Sequence, residues 1–177
     1  MEKHDQLLKS LFLNKTLNDI EFFDHDLRYY SPNMDQTWIV DGGVQFRMDD
    51  SYISFAYAGE LQFFNLFLSK AEEIPNDFEM KSLGAREVSG IESLIGKTVT
   101  DVKALWNFYE ELDEDFEPTG EKKYMPFEII LTFDNQSFLQ IAAVEYRIAG
   151  NQIADLMYNS ERDMLISLNH RFDIATE

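Results

Sequence analysis

Asp24-His25-Asp26 is the one place where a histidine sits between two carboxylates, a spacing that could set up a general base or begin a metal site. The other histidines, His4 and His170, lie far away in sequence, and no pair has metal-ligand spacing. A usable site needs several convergent ligands, so His25 reads as a solvated loop residue. Gly96-Lys97-Thr98 resembles the end of a phosphate-binding loop. However, Gly90 to Gly96 leaves five intervening residues where that motif needs four. The local order is also helix–turn–strand, which points the wrong helix end at a phosphate. The chain contains no G-x-S-x-G elbow, and without cysteine it has no thiol nucleophile, thiolate metal site or disulfide.

Two acidic pairs, Asp49-Asp50 and Asp134-Asn135, stand between alternating apolar segments. Asp and Asn tolerate the left-handed conformation of tight hairpins, so both read as turns. Asp19 and Asp101 lie inside strand-like runs, where Asp is disfavoured. Their expected role is a local hydrogen bond, to Lys15 or Thr16 and to Lys97 or Thr98. Asp113-Glu114-Asp115 lacks the spacing and the glycine of a calcium loop. No catalytic residue, cofactor or metal is therefore expected, and the chain reads as a non-enzyme.

The stretch with the clearest binding character is Trp106, Phe108, Tyr109, Glu110, Glu111, Asp113, Glu114, Asp115 and Phe116. From Glu110 to Glu117 it holds six acids and no base. Aromatics offer contact area, and acids steer a basic partner in. This is the candidate partner-binding loop. The corresponding loop of the first half, Asp24 to Gln36, carries Arg28, Tyr29, Tyr30 and Met34.

The elements that must carry these residues repeat. Asn14-Lys15-Thr16-Leu17-Asn18-Asp19-Ile20 returns 82 residues later as Gly96-Lys97-Thr98-Val99-Thr100-Asp101-Val102. Asn14 and Gly96 differ in type, but each can end a helix at positive φ. Phe46-Arg47-Met48-Asp49-Asp50 matches Leu131-Thr132-Phe133-Asp134-Asn135 at an offset of 85, and Ser82-Leu83 matches Ser167-Leu168 at the same offset. The expected fold is α+β and mainly β: a tandem duplication of a helix-plus-antiparallel-sheet unit. The copies, 1–88 and 89–177, are related by a pseudo-two-fold and packed together.

Within each copy the pattern predicts a helix and then strands. Asp5 is expected to cap the first helix. Ser89 and Glu92 are expected to form a capping box on the second. Strands are predicted at 16–23, 37–40, 44–48, 51–57, 78–83, 99–108, 127–133, 137–148, 153–158 and 164–168. Residues 61–68 are apolar on both faces, which fits a buried strand or a helix.

Net charge is −18, with −9 in each half divided at Glu92. Such a field repels nucleic acid and anionic lipid and attracts basic proteins. The polar N-terminus and the lack of a long apolar run predict a cytoplasmic monomer with no membrane segment. The first functional expectation is an acidic interaction protein, of the kind that small bacterial immunity proteins represent, neutralising a basic partner. The alternatives are a small-ligand binder or enzyme using a cleft between the repeats, and a structural adaptor with no separate site.

Overall fold

A computed structural model describes residues 2–24, 36–49, 51–58, 63–69, 81–84, 88, 90–113, 117–149, 152–158 and 163–175. Helix α1 (Glu2–Phe12) opens the chain. It is followed by β1 (Leu17–Asp24), β2 (Thr37–Val40), β3 (Gly43–Met48), β4 (Ser51–Ala58), β5 (Phe63–Ser69) and β6 (Lys81–Gly84). A 3-10 turn at Ile91–Leu94 precedes β7 (Val99–Leu112), β8 (Pro118–Phe133), β9 (Phe138–Ala149), β10 (Gln152–Tyr158) and β11 (Asp163–Leu168). The fold is α+β and mainly antiparallel β.

The strands form two sheets. The first has the order β5-β4-β3-β1-β6, and the second β2-β11-β9-β8-β7, with β10 also paired to β9. The run 61–68, ambiguous by periodicity, contains strand β5. Both sheets turn alternate apolar residues into one shared core. Val44, Phe46, Met48, Ile53 and Phe55 come from the first sheet, and Ile129, Leu131, Leu139, Ile141 and Ile166 from the second. Helix α1 adds Leu8 and Phe12, with Phe12 packed edge-on to Phe46 at 5.6 Å. Burying one such ring contributes about 1.5–3 kcal/mol.

Strand β2 belongs by sequence to the first half and by pairing to the second sheet, where it runs antiparallel to β11. All four of its residues are buried. The Thr37 and Ser167 hydroxyls meet at 3.1 Å between the two strands. The predicted bend at Asp41-Gly42 is the point where the chain leaves one sheet for the other.

The two sheets are stitched by the repeated segments. Asn14 N–H donates to the Val99 carbonyl (2.8 Å), and Gly96 N–H to that of Leu17 (2.7 Å). Leu17 N–H donates to Lys97 and Val99 N–H to Lys15, both at 2.9 Å. Asp49 N–H donates to Thr16 and Asp134 N–H to Thr98. Each bond in one direction is returned in the other. Asn14 (φ 62°) and Gly96 (φ 79°) both hold the expected left-handed conformation.

Local expectations need three corrections. Asp5 is no cap, because α1 begins at Glu2 and Asp5 lies inside it. Glu2 and Asp5 fill the first turn, where acids suit the helix dipole. No capping box precedes the second helical segment. Gly90 (φ 94°) takes the cap position without a side-chain bond, and Gly96 follows so closely that only one 3-10 turn fits. Ser89 lies outside the described residues. Third, Asp19 and Asp101 do not reach back to Lys or Thr side chains. Each sits at a β-bulge, between Leu17 and Asp19 and between Val99 and Asp101. There each accepts the next residue's N–H, from Ile20 and Val102, at 3.0 Å.

Candidate functional site

Strand β8 pairs with β9 only over Glu128–Thr132. Its pairing with β7 continues far beyond, through Trp106↔Pro126, Phe108↔Tyr124 and Glu110↔Lys122 to Leu112↔Pro118. The two strands therefore leave the sheet as a two-stranded arm. The stretch expected to be a loop after Phe108 is instead paired strand up to Leu112. The turn signals that suggested a loop, Pro118 to Gly120, lie within β8. At the tip, Asp113 N–H donates to the Glu117 carbonyl (2.9 Å), and Glu117 N–H returns to Asp113 Oδ1 (3.0 Å).

An isolated two-stranded ribbon is marginal in water, and α1 supports this one at its base. Trp106 is half-buried there, with its indole N–H donating to the Asp5 carboxylate. The His4 ring lies 5.5 Å from Trp106 and 5.1 Å from Tyr124. Further out, Phe108 is 44% and Tyr124 40% exposed, and their rings stand 6.1 Å apart. The Lys122 ammonium sits 4.0 Å over the Phe108 ring, an arrangement that favours a cation electrostatically. Leu105 is also exposed.

The structure thus places Trp106 and Phe108 on one aromatic face. The backbones of Tyr109, Glu110 and Glu111 lie in β7, and Asp113 is exposed at the tip. Glu114, Asp115 and Phe116 lie outside the described residues, as do His25 and the first-half loop with Arg28, Tyr29, Tyr30 and Met34. Sequence reasoning missed His4, Lys122 and Tyr124. The signal was there, since Lys122, Tyr124 and Pro126 alternate, but it was masked by the glycine and proline just before them.

The paired acids behave as turn residues. Asp49 (φ 48°) accepts the Thr16 N–H at 3.2 Å, and Asn135 accepts the Ser137 N–H at 3.1 Å. A second polar cluster lies on the outer face of the second sheet. Buried Glu128 accepts Gln140 Nε2 at 2.6 Å. The Gln140 carboxamide also holds residue 172 in both directions, donating to the Phe172 carbonyl (3.0 Å) and accepting its N–H (2.8 Å). Arg171 lies 4.0 Å from Glu128. The Tyr158 phenol is pushed up to about 12, first by burial and then by the Glu128 carboxylate. This network ties the C-terminal segment over Ala142, Val144, Leu156 and Leu165.

A cavity of about 370 Å³ opens on the outer face of the first sheet, lined by Asp19, Ile20, Glu21, Gln45, Arg47 and Tyr52. All six belong to the first half, whereas the space between the two sheets is filled by the shared core. Among the described residues, no three acid, histidine or cysteine side chains are placed to hold a metal. No helix there is long and apolar enough to cross a membrane. No protein-family model matches the chain, no curated protein matches it, and no solved structure matches it.

Proposed function

We propose that the chain is a non-enzymatic, acidic interaction protein of the cytoplasm, and that its β7–β8 arm receives a basic protein. The observation that carries this reading is the exposed aromatic pair Phe108 and Tyr124 on a ribbon that extends past its own sheet. Between Leu105 and Met125 the ribbon has seven acids and two bases. Exposed aromatics flanked by charge are what a steered protein interface requires. Lys122 over Phe108 is an internal example of the cation such a ring accepts. An immunity-type role, in which a basic toxin is neutralised, fits this chemistry.

The two halves, 1–88 and 89–177, are on this reading copies of one unit about a pseudo-two-fold. The returned hydrogen bonds, the matched bulges at Asp19 and Asp101 and the matched positive φ angles support it. The copies then differ where function would diverge, in the length of the hairpin that follows the shared motif.

Capture of partners from the source cell's lysate, at low and at high salt, tests the arm. Replacing Glu110, Glu111, Asp113 and Asp115 by their amides should weaken capture of a basic protein at low salt, and Phe108→Ala should weaken it at any salt. Capture unchanged by both variants would sink the proposal.

A further inference from the structure

Beyond the arm, we infer that the cavity on the outer face of the first sheet binds a small organic cation carrying N–H donors. Strand register builds the site as two rows across β1, β3 and β4. Asp19 stands opposite Arg47, which stands opposite Tyr52. Glu21 stands opposite Gln45, which stands opposite Ser54. Two carboxylates and one guanidinium leave the lining net negative. Arg47 is engaged with Asp19 at 3.7 Å.

Gln45 provides the independent observation. It is 3% exposed and lines the cavity. Its Nε2 donates to Ser54 Oγ at 2.9 Å, while its carboxamide oxygen meets no donor among the described residues. A buried acceptor without a donor is costly. In the second sheet, the corresponding outer face holds a buried glutamine whose carboxamide bonds on both sides. A ligand N–H in the cavity would satisfy the Gln45 oxygen, and the positive charge would answer the carboxylates. The volume suits a molecule of amino-acid or polyamine size.

Spermidine is the probe, followed by calorimetry and by amide chemical shifts, with sodium glutamate as the anionic counterpart. Saturable shifts are expected at residues 19–21, 45–47 and 52. Gln45→Leu changes no charge and should weaken spermidine at least about tenfold. Asp19→Asn keeps the oxygen that accepts the Ile20 N–H and should weaken it similarly. It also decides the question if Gln45→Leu fails to fold. Shifts spread evenly over the acidic surface, affinity indifferent to both variants, or preferential binding of glutamate would each overturn the inference. Loss of the arm's partner leaves this site untouched, so the two proposals fail separately.

Discussion

Gln140→Leu is the most informative single change in the C-terminal network. Leucine keeps most of the volume, so the cavity cost is small. What is lost is three hydrogen bonds: one to the Glu128 carboxylate at 2.6 Å and two to the backbone of Phe172. A bond to a charged group contributes about 1.5–3 kcal/mol, and each neutral bond about 0.5–1.5. The Phe172 groups are part-buried and regain water once the segment lifts, which lowers the sum to about 3 kcal/mol. Glu128, at 7% exposure, regains little. Urea unfolding should move to a lower midpoint at nearly constant slope. Hydrogen exchange at the amides of Phe172 and Ala175 should accelerate well beyond that of Ile141 in the core. A loss under about 1 kcal/mol with Phe172 still protected would refute the idea that Gln140 fastens the segment.

Other expectations follow from the same geometry. Tyr158 titrates near 10 in the unfolded chain and near 12 when folded. Its contribution is therefore complete below pH 10 and lost as pH rises toward 12. With the ring only part-buried the effect is about 1 kcal/mol. Glu128→Gln should lower the Tyr158 value part-way, read as tyrosinate absorbance against a Tyr158→Phe control. Gly96→Ala should cost about 1 kcal/mol in thermal unfolding from its positive φ alone, because a Cβ there meets nothing within 4 Å. A loss several times larger would show that space, and not φ, is limiting. Trp106→Phe removes the bond to Asp5 and should speed amide exchange at the start of α1; unchanged exchange would mean the arm does not steady the helix.

Most strands were legible in the sequence because their side chains alternate about one buried face, as in Ile129, Leu131 and Phe133. The positive φ at Asn14 and Gly96 was legible because few residues accept it. Two classes of feature were not. Asp5 and Ser89 looked like caps, but where a helix begins depends on what packs against it, and α1 is set by Leu8, Phe12 and Trp106. The arm was read as a loop because strand pairing is a property of two segments. Pro118 and Gly120 mark a turn only if β7 has already stopped, and it had not. The Gln45 cavity was invisible for a similar reason: its lining residues are separated in sequence and meet only through register.

The pairing of β2 with β11 also has a consequence during synthesis. Thr37 and Ser167 are 130 residues apart. At roughly 10 residues per second, β2 waits about ten seconds on the ribosome for the strand that buries it. Throughout that time Trp38, Ile39 and Val40, all buried in the finished protein, form an unpaired apolar strand next to a nearly complete first sheet. A nascent chain stalled before residue 163 would thus be a substrate for chaperones, or for the same strand of a neighbouring chain.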